Sequence, residues 1–184
     1  MTCYHCSPTA GIKLLEPQKP KLFSKPAKVY MATLLPMALM YGVQNYEYTY
    51  GYTPEGMIRF EEYFPNELEV LYKGKSASLY ICQPEAVETT RIPNEAVSDK
   101  VVPVLEEILI PDVYEALLEQ ERLGNLLIRR YHEQSERMLA WVRKVEKETI
   151  LEKKLLDNPG IMADYYRINY PESWADAEKE QALK

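Results

Sequence analysis

The sequence predicts an α+β protein, with a domain of short strands and helices over residues 1–110 and a helical segment over residues 111–184. Three observations predict this class. Before residue 110, short runs of β-branched and aromatic residues alternate with proline and glycine. From Pro111 onward, apolar residues recur every three or four positions, which is the period of a helix. With 184 residues, 46% of them hydrophobic, the chain can bury one substantial core.

The first elements are a strand and then a strand-to-helix step. Cys3 to Cys6 is the first predicted strand, and the pair Ser7-Pro8 ends it. After a proline-rich loop, the run from Lys28 to Thr33 carries the β-branched and aromatic residues of a second strand. Pro36 then suits the first turn of a helix, because a proline there loses no hydrogen bond.

Tyrosines occupy every second position toward the end of the segment Gln44 to Tyr52. Alternate side chains of a strand share one face, so these rings would lie together. Two interpretations stay open, a tyrosine-rich edge strand and a stacking surface for a nucleobase. The tyrosines are Tyr46, Tyr48, Tyr50 and Tyr52.

Two short helices and three further strands complete the first segment. A helix is predicted from Gly56 to Tyr63 after a proline turn, and another from Asn66 to Tyr72 before a glycine break. Together with the earlier strands, the later ones would form a small sheet. They are Ser76–Cys82, Glu95–Ser98 and Val101–Val104.

The C-terminal segment reads as helices. One is predicted from Pro111 to Gly124, and a longer one follows from Asn125 to the break at Asp157. The longer helix carries an apolar stripe, which we expect to pack on the α+β domain or on a second copy of the chain, giving a homodimer through the C-terminal helices. The stripe consists of Leu127, Tyr131, Met138, Trp141 and Val142.

Composition and missing motifs exclude several functions. The net charge of −6 disfavours broad nucleic-acid binding. No apolar run is long enough for a membrane span and no signal peptide is seen, so the sequence predicts a cytoplasmic protein without membrane contact. Cys3 and Cys6 have the spacing of half a zinc site, but a second closely spaced pair is missing and no metal is expected. Phosphate-loop and nucleophile-elbow motifs are absent as well.

Three short motifs point to a known superfamily. His5 lies where the first strand meets a loop, from which it could reach a cleft or serve the structure alone. The run Tyr4-His5-Cys6-Ser7 resembles the opening strand of the ADP-ribosyltransferase superfamily. The run Lys28 to Thr33, with its following helix, resembles the second motif, and Glu95–Ser98 resembles the third. The similar stretch ends near Leu118 and looks most like small uncharacterised bacterial and phage members.

This resemblance implies a fold with a small split mixed or antiparallel sheet, and NAD as cosubstrate. His5 would bond the adenosine-side ribose or the backbone of the dinucleotide, and Tyr30 would stack on the nicotinamide. Glu95 would bond a ribose hydroxyl and stabilise the developing positive charge. The small hydroxyl residues Ser7 and Thr33 would complete the NAD site.

Two activities follow from the resemblance, with one alternative of another class. The protein would transfer ADP-ribose to a macromolecular acceptor or hydrolyse NAD. Alternatively it keeps the fold without catalysis and acts as a binding or inhibitory protein for a protein or nucleotide. Cys6 departs from the superfamily pattern, since glycine is usual there. Other glutamates compete with Glu95 for the acidic role, Glu106 foremost because it follows a predicted strand; the remainder are Glu85, Glu88 and Glu107.

Overall fold

The computed structural model describes residues 1–19, 27–45 and 49–183, and within them an antiparallel sheet organises the first part of the chain. Its strands are β1 (Cys3–Ser7), β2 (Leu14–Leu15), β3 (Val29–Ala32), β6 (Ala77–Cys82), β7 (Glu88–Thr89), β8 (Glu95–Ser98) and β9 (Val102–Ile110). They lie in the order β2-β9-β6-β1-β3-β8-β7, with each neighbouring pair antiparallel.

A smaller sheet and the helices complete the described elements, and the predicted α+β class is confirmed. The smaller sheet has the order β10-β5-β4, formed by β4 (Tyr50–Tyr52), β5 (Ile58–Glu61) and β10 (Leu126–Arg129). A 3-10 turn covers Tyr131–Glu133. The helices are α1 (Leu35–Tyr41), α2 (Glu67–Tyr72), α3 (Val113–Arg122), α4 (Glu136–Glu152), α5 (Ile161–Asn169) and α6 (Pro171–Ala182).

Two units, each assembled from separate stretches of sequence, make up the chain. The first unit comprises Met1–Tyr48, Tyr52–Ile58 and Leu68–Leu127. The second comprises Thr49–Gly51, Arg59–Glu67 and Ile128–Lys184. The division predicted after residue 110 therefore falls inside the first unit, which also contains α3.

The core of the first unit covers both faces of the large sheet. On one face, Cys3, Met31 and Tyr80 are buried in one cluster with Leu15 of β2. Helix α1 contacts β1 and β3. Gly42 ends that helix close to Cys6, whose side chain points to the face opposite that of Cys3 because the strand spacing between them is odd. One face of the sheet is thus packed in its centre, and the other is packed where α1 covers it.

The second unit has its own core between α4, α5 and α6. Phe64 is 2% exposed, and its ring makes edge contacts with Tyr165 and Tyr170. Val142 and Ile150 of α4 supply the facing aliphatic side chains, and Ala177 of α6 is fully buried among them. A segment that precedes the helices by more than sixty residues therefore contributes an aromatic ring to their core.

Most predicted elements are confirmed, but the helix predicted over residues 56–63 is wrong. Within that range, β5 occupies Ile58–Glu61. Ile58 and Phe60 are buried while Arg59 between them is partly exposed, which is the alternation of a strand. Of the tyrosine run, Tyr50 and Tyr52 lie in β4, and Tyr46 and Tyr48 lie outside the described residues.

The long helix predicted from Asn125 is also corrected. Leu126 and Ile128 are buried and alternate with the more exposed Leu127, so the chain forms β10 there. The helix begins at Glu136, where Ser135 Oγ accepts from Met138 N, as an N-cap does. The predicted stripe is correspondingly wrong in part, because Trp141 is 51% exposed whereas Val142 is buried.

No helix of the described ranges is both long and apolar enough to cross a membrane.

Candidate functional site

The three motif strands are consecutive neighbours in the large sheet. β1 pairs with β3, and β3 pairs with β8. The register aligns Tyr4 with Ala32, and Ala32 with Glu95, in one row across the strands. Segments separated by up to ninety residues are thereby brought together, and each carries one of the predicted site residues.

Tyr30 and Glu95 share one face of the sheet. Tyr30 is opposite Val97, and Glu95 is two positions from Val97 on the same strand. Side chains of paired residues point to the same side, and so do alternate residues of a strand. Tyr30 and Glu95 are therefore diagonal neighbours, for which Cα atoms are about 7–8 Å apart. Both residues are partly exposed.

His5 points to the other face. It is opposite Tyr80, with the two rings 6.2 Å apart, and Tyr80 belongs to the core that also holds Met31. Since Met31 alternates with Tyr30 along β3, the side chains of His5 and Tyr30 lie on opposite sides. The structure thus brings Tyr30 and Glu95 together and places the imidazole elsewhere.

The imidazole of His5 is bonded to the backbone of the neighbouring strand. Its Nδ1 lies 2.9 Å from the carbonyl oxygen of Tyr30, and because a carbonyl only accepts, Nδ1 carries the hydrogen. Between β1 and β3, the ladder has a single register pair in the described residues, Tyr4 with Ala32. The imidazole therefore bonds the carbonyl of Tyr30, which is two residues from the paired Ala32. Burial lowers the pKa of His5, so the ring is neutral at pH 7.

The other predicted side chains bond nearby loops. Oε1 of Glu95 accepts from Thr90 Oγ1 at 2.6 Å. Thr33 Oγ1 lies 3.2 Å from Asn94 Oδ1, and Asn94 has a positive φ of 62°. Ser7 Oγ accepts from Thr9 N at 3.1 Å. Each of these contacts orders a turn beside the sheet, and the Thr90 bond fixes one carboxylate oxygen of Glu95.

Of the rival glutamates, Glu88 shares the face of Tyr30, because both residues are opposite Val97, whereas Glu106 and Glu107 lie on β9. Glu106 is on the same face as Glu95, but four strand spacings away in the row, which corresponds to roughly 19 Å. Glu107 is opposite Tyr80 and binds Gly11 N at 2.8 Å, a bond that lowers the pKa of its carboxyl. Glu88 forms an ion pair with Lys28. Glu85 is exposed in the loop between β6 and β7.

The cysteines are separated by the sheet. Cys3 is directly opposite Cys82, whereas Cys6 is opposite Leu79 and points to the other face. Burial raises the pKa of Cys6 to about 12 and that of Cys82 to about 11, which keeps both thiols protonated. In the ranges that the structure describes, no three potential ligands are grouped around a metal-sized position.

Comparison with known proteins gives no relative. No family model matches the chain, and neither a curated protein nor a solved structure is similar to it. The superfamily resemblance therefore depends on the three short motifs alone.

A group of buried carboxylates in the second unit is not evident from the sequence. Glu61, Glu62 and Glu67 are each at most 5% exposed. Glu61 is paired with Arg59 and accepts from Gln134 Nε2 at 3.0 Å. Glu62 and Glu67 accept backbone or hydroxyl hydrogens from Tyr131 N and Thr49 Oγ1. All three carboxylates have partners, so the group holds loops in place and offers no free charge for a ligand.

A cavity of about 160 Å³ lies beside α4 in the second unit, remote in sequence from the motif strands. It contains none of the predicted site residues. Its lining residues are Ile150, Leu151, Lys154, Leu156, Asp157 and Gln181.

Proposed function

We propose that this chain binds an NAD-type dinucleotide on the sheet face shared by Tyr30 and Glu95 and breaks its nicotinamide–ribose bond. ADP-ribose would pass to a macromolecular acceptor or to water. The observation that supports this is the diagonal pairing of the two residues on adjacent strands. A tyrosine and a glutamate whose Cα atoms are about 7–8 Å apart on one face suit a planar leaving group next to a ribose.

The reaction requires the protein to position the reacting groups and to supply negative charge beside the ribose. The bond between ribose C1′ and the nicotinamide nitrogen breaks, and its electron pair leaves with nicotinamide. A hydroxyl or amine of the acceptor, or water, then bonds to C1′ and loses a proton to solvent. Glu95 supplies negative charge beside the cationic ribose, and Tyr30 holds the leaving ring. The hydrogen bond from Thr90 keeps the carboxylate in one orientation.

His5 has a different role in this proposal from the one that the resemblance implies. Because its ring lies on the opposite face and binds the carbonyl of Tyr30, it acts as a positioning residue for Tyr30. Its loss would alter where the tyrosine ring stands and would therefore weaken NAD binding as well as turnover.

The second candidate is a protein that keeps this fold and binds a partner without catalysis. The observation that favours it is that Glu95, Thr33 and Ser7 all take part in local hydrogen bonds. Residues engaged in this way can serve the architecture alone. The two candidates differ in whether nicotinamide is released.

Nicotinamide release from NAD by the purified chain, followed by mass spectrometry, separates them. The enzymatic proposal expects release together with a rise in melting temperature at millimolar NAD, because a ligand that binds only the folded state stabilises it. Stabilisation without release would favour the binding protein. If neither stabilisation nor nicotinamide release is seen, NAD is ruled out as the ligand.

Glu95→Gln tests the assigned carboxylate. The substitution keeps size and hydrogen bonding but removes the charge, so NAD should still raise the melting temperature while turnover falls by about 10²-fold or more. Glu106→Gln is the matched control, since that residue is on the same face but roughly 19 Å away. Loss of turnover in Glu106→Gln with normal turnover in Glu95→Gln would show that the wrong glutamate is assigned.

A further inference from the structure

Two of the cysteines face each other at one end of the large sheet. Cys3 is the first residue of β1 and Cys82 is the last residue of β6, and the two are directly opposite in the antiparallel pair. Their side chains point to the same face, where both are fully buried in one cluster. The structure therefore places two thiols side by side at the ends of neighbouring strands.

The spacing of this pair suits a disulfide. Residues directly opposite in an antiparallel pair have Cα atoms about 4.5–5.5 Å apart, and disulfides join Cα atoms about 4.4–6.8 Å apart. The Cβ atoms must approach by up to about 1 Å, because they are farther apart in a strand pair than in a disulfide. Burial raises the pKa of Cys82, and the charge of a thiolate at Cys3 raises it further, as expected of neighbouring sulfurs.

Both strand ends allow this approach. The pairing of β6 with β9 shifts register between Ile81 and Cys82, so Cys82 lies at an irregular point of the sheet. Met1 and Thr2 lie outside β1 and are exposed. Local opening at this end of β1 gives a small reagent access to Cys3 while the rest of the sheet stays folded.

We propose that Cys3 and Cys82 form a reversible disulfide by exchange with an oxidised low-molecular-weight thiol such as oxidised glutathione. The thiolate of one cysteine attacks the glutathione disulfide, and one glutathione leaves. The thiolate of the other cysteine then attacks the first cysteine sulfur, and the second glutathione leaves. The two cysteine thiols lose two electrons and two protons, which convert the glutathione disulfide into two thiols. Cys6 takes no part, because its side chain points to the opposite face.

The disulfide anchors β1 in the sheet. In the described ranges, β1 pairs with β6 along all five of its residues and with β3 at Tyr4. The bond adds a covalent link to the longer of these two contacts. It also closes a loop of about 80 residues, which restricts the unfolded chain and stabilises the folded one. The oxidised form should therefore melt at a higher temperature than the reduced form.

Oxidation of the folded full chain by oxidised glutathione, followed by mass spectrometry without reductant, tests the proposal. The intact mass should fall by two hydrogen atoms and recover in dithiothreitol. Chymotrypsin cleaves after tyrosine, so cleavage at Tyr4 separates Cys3 from Cys6, and the fragment with Cys3 should be joined to the fragment with Cys82. We expect the oxidised form to melt about 5 °C or more above the reduced form.

Cys6→Ala and Cys3→Ala are the matched variants. Cys6→Ala should keep the disulfide, whereas Cys3→Ala should form none, since Cys6 and Cys82 lie on opposite faces. Glutathione attached to one cysteine without closure of the bond, or free thiols throughout, would overturn the proposal. A disulfide that forms only in urea, or one that lowers the melting temperature, would also overturn it. None of these measurements involves NAD, so their outcome is independent of the proposed activity.

Discussion

His5 illustrates how a residue of the right type can serve the fold. The sequence predicts His5 at the end of a strand; the strand is confirmed, but it runs from Cys3 to Ser7 and His5 is its central residue. Which face it occupies depends on the register against β3 and β6, which a single strand does not reveal. Tyr30 and Glu95 share a face for the same reason, since their alignment arises between strands sixty residues apart.

The buried imidazole should make stability depend on pH. The pKa of His5 is lowered in the folded state relative to 6.5, so the unfolded chain binds the proton more readily. The contribution is fully present above pH 6.5 and is lost as the pH falls through the folded pKa. Urea unfolding at pH 7.5 and 5.5 measures the decrease in the free energy of unfolding between the two pH values. His5→Asn should remove part of that decrease, at most about 1.4 kcal/mol per pH unit for one proton.

His132→Asn is the control for this experiment, because His132 is the other histidine and is exposed. It should retain the pH dependence of the parent chain. An unchanged dependence in His5→Asn would mean that carboxylates alone account for the effect.

At the scale of elements, the sequence predicts those whose pattern is local. Pro36 near the start of α1 and the β-branched and aromatic residues of β3 identify that step, and both elements are confirmed. The sequence does not predict β5, because its alternating pattern runs into the adjacent acids Glu61 and Glu62, which are typical of a solvated helix face. Arg59 pairs with Glu61 locally, but the other partners of these two buried carboxylates are residues near 130, which are distant in sequence.

Gly42 connects two elements through a close contact. A Cβ placed there would lie 2.5 Å from Cys6 Sγ and 3.1 Å from Ala77 Cβ. Its φ of −67° suits any residue, so the constraint is one of space. Gly42→Ala should therefore lower the free energy of unfolding by about 1–3 kcal/mol through overpacking between α1 and β1.

Removing the sulfur tests that cause. In Gly42→Ala combined with Cys6→Ala, the cost of the Gly42 change should shrink, so the pair should show a favourable coupling in chemical denaturation. Gly160→Ala is the control, because a Cβ there meets nothing within 4 Å. Additive effects of the two changes would mean that Ala77 or the backbone, and not Cys6, sets the limit.

At the scale of the molecule, the sequence predicts two parts but not their composition. The change of pattern at Pro111 suggested a linear division, whereas the second unit takes Thr49–Gly51 and Arg59–Glu67 from the first half of the chain. Units built from separate stretches of the chain result from tertiary packing, and no local periodicity of the sequence indicates them. Phe64 is the residue that shows it best, because its ring lies in the helical core.

Phe64→Ala should accordingly destabilise the helical unit. The ring is 2% exposed between Tyr165 and Tyr170, and removing a buried phenylalanine side chain costs about 3–5 kcal/mol. Both tryptophans, Trp141 and Trp174, belong to this unit, so tryptophan fluorescence in urea reports its unfolding.

The control for this loss is a large aliphatic side chain of the same unit that is exposed. Leu183 is 88% exposed after α6, and Leu183→Ala should leave the fluorescence midpoint within about 0.5 kcal/mol of the parent. If Phe64→Ala shifted the midpoint no more than Leu183→Ala, residues 59–67 would not be part of the helical core. A large shift would mean that the helices, although contiguous in sequence from residue 136, complete their core only with a ring from the first half of the chain.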